Sequence, residues 1–286
     1  CEPLNGLLNL EYLNMANTGI TDIKCLAGIT SLRELDITGT GVSVINVFGR
    51  NNLELIRGDG TGITLDEVIA FKKEKPSCTV IYQTPTLEAW WAALGKGWQT
   101  IFLEAAGIKE EPGPLALQQI ADLNSIDLLQ RKDLGSLTPL QILYRLKELK
   151  MNDTQITDLR PIAQMTTLEV LVISNNPIGD LSAISELTNL VHLDLKNTLV
   201  DDLEPIAGLL RLEYLDLSGT QVKKLDDLSH LNSLANISFY NTPVKSLDPL
   251  ESIPSLRHIK CYNTRLKEKK VDSFAEKCPE CEIIFY

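Results

Sequence analysis

Three groups of residues have the types and spacing that chemistry would need. Cys278 and Cys281 form a C-x-x-C pair. Such a pair serves thiol–disulfide exchange within a βαβ context, or half of a zinc site when a second ligand pair lies nearby. Neither context is visible, and an earlier matching stretch has Lys75 where Cys278 stands. His192 and Asp194, two residues apart, share one face of a strand, as a base and its orienting carboxylate would. No serine or cysteine nucleophile is placed to complete that relay, and His230 and His258 lie on other repeats. Asp194 and Asp216 invite comparison with paired carboxylates, yet acidic rows on a repeated surface more often face solvent or a partner. The expectation is a non-enzyme with no catalytic residues, no metal and no cofactor.

What positions these residues is a repeat. Leu146, Leu168, Leu190, Leu212, Leu234 and Leu256 are each 22 residues apart. Each is followed at fixed distances by two apolar residues and a small polar one, as in Leu190, Leu193, Leu195 and Thr198. The pattern L-x-x-L-x-L-x-x-(T/N) runs six times without a slip. A period of about 20 to 29 residues with this signature marks a leucine-rich repeat solenoid. In each unit the x-L-x segment is a short strand that sends its leucines to one side. Thr198 turns the chain inward, and its hydroxyl can satisfy backbone groups leaving the strand. Val200, Leu203, Ile206 and Leu209 return along the convex side, with Asp202 and Pro205 suited to starting a short helical or 3₁₀ turn. One unit cannot bury seven apolar side chains alone, so neighbours must stack.

The composition is that of an ordinary globular chain: 286 residues, 44% hydrophobic, 23% charged, net charge −11. The acidic balance argues against nucleic acid as a main partner. No apolar run approaches a membrane-spanning length. The six cysteines do not read as a disulfide framework, and mostly buried, unpaired cysteines fit a reducing compartment. Cys1 aligns with Leu203, so the chain starts inside a repeat and Cys1 reads as a core residue at a cut end rather than a lipid anchor. Any upstream signal is therefore missing, and the compartment is left open between cell surface, secreted and cytoplasmic.

Taken in order, residues 1–83 read as a first array with units at Leu10, Leu32 and Leu53, the last eroded by Gly58. Val68, Phe71, Pro76, Cys78, Val80 and Ile81 reappear 203 residues later as Val271, Phe274, Pro279, Cys281, Ile283 and Ile284. Both copies read as a helix, Pro, Cys and a short strand that cap an array and cover its open edge. Residues 84–122 form a helical linker or N-cap, in which Trp90, Trp91, Leu94, Trp98, Ile101 and Phe102 make one aromatic stripe broken near Gly95 and Gly97. The stripe reads as a cap packed on the next strand or as a hydrophobic partner site. A short helix follows, with Pro114 at its first position. Residues 123–286 are the second array with its cap.

The chain resembles bacterial leucine-rich repeat proteins with 22-residue units, a short-repeat class that includes internalins and eukaryotic phosphatase-regulating repeat proteins. Leu212 to Leu228, L-E-Y-L-D-L-S-G-T-Q-V-K-K-L-D-D-L, carries the likeness well. The capping segments and Trp-rich insert look like those of Bacteroidetes relatives, while threonine stands where many relatives have asparagine. The resemblance implies an α/β fold: a right-handed, curved solenoid with a parallel concave sheet, short helices or 3₁₀ turns on the convex side, and a protein bound on the sheet. The partner-facing residues expected from the repeat positions are His192, Asp194, Tyr214, Asp216, Tyr240, His258 and Tyr262. Exposed aromatics on a rigid surface are what protein-binding hot spots use, although tyrosines also simply suit strands. The expected function is a non-enzymatic protein-binding scaffold of unidentified partner. The alternative is a cell-surface, adhesin-like protein recognising a host or envelope ligand.

Overall fold

In the computed structural model the described residues are 4, 7, 9–48 and 52–286. The chain separates into two compact units, residues 1–93 with 108–120, and residues 94–107 with 121–286.

The first unit holds a four-stranded parallel sheet in chain order: β1 (Tyr12–Asn14), β2 (Glu34–Asp36), β3 (Leu55–Arg57) and β4 (Thr79–Ile81). Between β3 and β4 runs α1 (Leu65–Glu74), which buries Val68 and Phe71. Thr64 caps it by accepting the Glu67 amide at 3.3 Å. Glu67 in turn accepts the amides of Ile45 and Asn46 at 2.7 and 2.9 Å, tying the helix to the preceding repeat. The next helix, α2 (Thr84–Ala93), is held at its start by Asp59, which accepts the Thr84 amide at 2.8 Å and its hydroxyl at 2.6 Å. The Trp91 indole N–H donates to Glu111 at 2.9 Å, shortly before α4 (Pro114–Ala121). Pro114 suits that first helical position, where an N–H would have no partner.

The second unit begins with α3 (Lys96–Ala106), which ends at Gly107 in the left-handed region, φ 67°. Trp98 is buried, donates to the Leu134 carbonyl at 3.1 Å and stacks on Phe102, and α3 packs on the first strand of the second sheet. That sheet has eight parallel strands in chain order: β5 (Ser125–Asp127), β6 (Glu148–Lys150), β7 (Val170–Val172), β8 (His192–Asp194), β9 (Tyr214–Asp216), β10 (Asn236–Ser238), β11 (His258–Lys260) and β12 (Glu282–Ile284). Between β11 and β12 runs α5 (Glu268–Lys277), burying Val271 and Phe274 as α1 buries Val68 and Phe71.

The repeat explains the packing. The central residues Leu149, Leu171, Leu193, Leu215, Ile237 and Ile259 are all buried. Opposite them the chain returns through 3₁₀ turns such as Arg160–Ile162, Ser182–Ile184 and Glu204–Ile206. Asp158, Asp180 and Asp202 each accept the first amide of their turn at 2.8–3.1 Å. The threonines work as their position requires. The hydroxyls of Thr198, Thr220 and Thr242 each donate at 2.6 Å to the carbonyl three residues back. Asn176 does more: it accepts the Thr154 amide and hydroxyl at 3.0 Å and donates to the carbonyls of Met151 and Ile173.

Two expectations change. The aromatic stripe is carried by two helices, not one, because Gly95 ends the first segment and serves as the extended N-cap residue of α3. Trp91 and Trp98 are buried and hydrogen-bonded, so their rings serve packing. Among the cysteines, Cys25 is disulfide-bonded, while Cys78, Cys261, Cys278 and Cys281 carry thiols. Cys25 lies half-exposed in the turn Lys24–Gly28 rather than in the core, so its sulfur is accessible to a second. The argument for a reducing compartment loses its basis there. Cys1 lies outside the described residues.

Candidate functional site

Each strand of the eight-stranded sheet exposes alternate residues, so positions such as 192, 194 and 196 form three outward rows across the sheet. Parallel register places His192 beside Tyr214 in the first row and Asp194 beside Asp216 in the second. Asn236 separates Tyr214 from His258 in the first row. Tyr240 and Tyr262 occupy the third row, just beyond the strands.

The aromatics form two pairs. His192 and Tyr214 stack with centroids 4.2 Å apart and planes 1° from parallel. Tyr240 and Tyr262 stack at 4.5 Å and 9°. Lys196 sets its ammonium 5.7 Å from the Tyr240 ring centre. All four rings are half-exposed, so each pair presents a rim to solvent while neighbouring rungs hold its faces. His258 stands apart from both pairs and meets Glu282 at 3.1 Å. A groove of about 200 Å³ opens beside it, lined by Tyr214, Ser238, His258, Lys260 and Glu282.

The two aspartates have local duties. Asp194 accepts the Lys196 amide at 2.9 Å and Asp216 the Ser218 amide at 2.8 Å, each closing the turn that leaves its strand. Asp216 is only 8% exposed, less open than the solvent-facing or partner-facing row that the repeat positions suggest. It lies in the middle row, flanked by the aromatic and lysine side chains of the outer two. Burial pushes the Asp194 carboxyl up and, opposed by Asp194, pushes the His192 imidazole down.

The remaining candidates for chemistry are placed as follows. The Cys281 thiol is pushed up to about 11 by burial and by Cys278, the opposite of what an attacking thiolate needs. Among the described residues no group of three or more His, Cys, Asp or Glu side chains could hold a metal ion. Among the described residues no helix is long and apolar enough to cross a membrane. The first unit has a groove of about 700 Å³ lined by Glu11, Ser31, Arg33, Glu54 and Lys75, in which Arg33 and Glu54 already pair at 2.7 Å.

Comparison with known proteins agrees with this geometry. A family model described as "Leucine Rich repeats (2 copies)" matches residues 144–187, 166–208 and 188–233. Residues 144–233 are leucine-rich repeats by that match. A search of curated protein sequences returns no match. Among solved structures, an internalin from Listeria monocytogenes is similar over 100% of this chain and 76% of its own, at 19% identity and a TM-score of 0.54. A leucine-rich repeat protein from Leptospira interrogans is similar over 99% of this chain and 97% of its own, at 14% identity and a TM-score of 0.48. The functional domain of InlJ from Listeria monocytogenes is similar over 98% of this chain and 63% of its own, at 18% identity and a TM-score of 0.49. The first of these, with the family match, places the α/β solenoid among internalin-like folds.

Sequence reasoning missed Glu282 of this leucine-rich repeat surface, because β12 follows β11 at an offset of 24 residues rather than 22. The helix of the cap breaks the count. Ser218 was visible as a row member but not as a buried one, and nothing in its spacing marks that difference.

Proposed function

We propose that the protein is a non-enzymatic scaffold that offers the open face of its eight-stranded sheet to a protein partner. The observation that carries this is the pair of parallel aromatic stacks, His192–Tyr214 and Tyr240–Tyr262, held half-exposed by rigid neighbouring rungs. Rings fixed in advance lose little side-chain freedom on binding, which is why aromatic residues dominate interface energetics. His192, Asp194, Tyr214, Asp216, Tyr240, His258 and Tyr262 are the residues assigned to the interface, with Lys196 and Glu282 added to them. The disulfide at Cys25 favours an oxidising setting, the circumstance of the second reading, an adhesin-like role at a cell surface.

The test is affinity capture with the wild-type chain beside a Tyr214→Ala/Tyr240→Ala/Tyr262→Ala variant of unchanged melting temperature. A protein held by the wild type and released by the variant supports the reading. Equal retention by both moves the interface off this sheet.

A further inference from the structure

The rings of the sheet face follow the spacing of its rungs. Neighbouring strands lie about 4.8 Å apart, and the two stacks have centroids 4.2 and 4.5 Å apart. Each stack therefore runs along its row, one ring per rung. The first row reads His192, Tyr214, Asn236 and His258 on successive strands. His192 covers one face of the Tyr214 ring. Since the planes are parallel and the stack runs along the row, the opposite face is turned towards the rung of Asn236. That rung has no ring. The groove opens there, with Tyr214 on one side and His258 on the other.

The floor of the groove is short and polar. β10 supplies Asn236 and Ser238, small side chains between the larger ones of β9 and β11. Ser238 is only 6% exposed, yet neither its hydroxyl nor the Asn236 side-chain amide has a hydrogen-bond partner among the described residues. Leaving such groups unpaired under a bound partner is costly, so the floor suits an occupant with a polar edge.

The walls disfavour a charged occupant. Lys260 lies beside Ser238 in register and is in no ion pair among the described residues. A second cation would meet it. An anion would meet Asp216, on the other side of Ser238, and Glu282, which also lines the groove. An aromatic ring is neutral, and its negative face suits the unpaired ammonium. The far wall is fixed in advance, because Glu282 holds the His258 imidazole at 3.1 Å.

We propose that the groove over Asn236 and Ser238 receives a tyrosine or tryptophan side chain of the protein partner, which fills the empty rung and stacks on the open face of Tyr214. Two rungs span about 9.6 Å, which leaves one stacking interval on each side of an inserted ring. The phenol O–H or indole N–H gives the floor its missing partner. An aliphatic side chain fills the space but brings neither a π face nor a polar edge. The inference rests on the sheet face being the partner surface and names the side chain that the partner brings to it.

The experiment uses the full chain and a defined probe, N-acetyl-tyrosinamide, with N-acetyl-cyclohexylalaninamide as the saturated-ring control. Amide ¹H–¹⁵N shifts of Ile237 and Ser238 are followed at millimolar probe. Saturable shifts with the tyrosine probe, absent with the control, are the expected result. Tyr214→Ala removes the stacking face and weakens binding about tenfold. Asn236→Tyr fills the rung with a ring of the chain's own and abolishes binding, with a melt to confirm that the variant is folded. The absence of any saturable shift, an equal response to the control, or full binding by either variant would each overturn the site. Those results are independent of the capture experiment, so capture by the wild type without probe binding leaves the scaffold standing and removes the groove.

Discussion

The His192 imidazole lies flat on the Tyr214 ring, with centroids 4.2 Å apart and planes 1° from parallel. The ring is half out of water, and burial is the largest influence on its acidity, pushing it below the ordinary histidine value near 6.5 against the pull of Asp194. The folded state therefore binds the proton less readily than the unfolded chain does. The stability this group contributes is present above the ordinary value and is lost as pH falls through it towards the lower folded value. An NMR titration should find His192 half-protonated below 6.5. Tyr214→Ala, by rehydrating the ring, should move the midpoint up; a midpoint unmoved by that change would contradict the burial argument.

Leu193 is wholly buried at the centre of β8. Leu193→Ala should cost ~2–5 kcal/mol, from lost burial and the cavity left behind. Because each repeat is stabilised by its neighbours, hydrogen exchange should quicken in β7 and β9 as well as in β8. An unchanged melting temperature would refute the register.

Thr198 is 2% exposed and its hydroxyl donates to Leu195 at 2.6 Å. Thr198→Val keeps the shape and deletes the bond, and should cost about 1 kcal/mol in a denaturant melt. Replacement of Leu199, which is exposed, is the control and should change little.

Gly219 adopts φ +74° in the left-handed region, and a Cβ built on it meets the Asn197 side-chain oxygen at 2.1 Å. Asn175, Asn197, Asn241 and Asn263 occupy the same repeat position with positive φ. Asn197 donates to Asn175 at 2.8 Å, linking rung to rung. Gly219→Ala should destabilise by about 1 kcal/mol, since alanine disfavours this conformation and offers no hydrogen bond. Gly219→Asn should be tolerated better, because asparagine accepts the conformation and can join the ladder. Thermal melts of the two variants, ranked in the opposite order, would sink this account of the turn.

Much of the fold could be read from residue spacing, because periodic burial dictates it. The x-L-x strands fall at the leucines, and the threonines bind backbone as their position demands. The helix–Pro–Cys–strand segments return as α1 with β4 and α5 with β12. The left-handed Asn/Gly ladder was not read, although its signal stood one residue before each threonine. Attention to hydrophobic period passes over a residue whose role lies in its backbone. The site was less legible. Repeat positions identify which side chains face outward, but the ring stacking of His192 on Tyr214 depends on rotamers. The burial of Asp216 and Ser218 depends on side chains from three different strands, and no single repeat contains that information.

The most direct test of the sheet face as the partner surface is site-specific photocrosslinking. A benzophenone amino acid is placed at Tyr240 in one chain and at Leu210, exposed in the turn before β9, in another. Both are irradiated in the source lysate and read by the mass of covalent adducts. The account predicts a discrete adduct from position 240, suppressed by Tyr214→Ala, and none from position 210. Discrete adducts from position 210 with none from position 240 would contradict it.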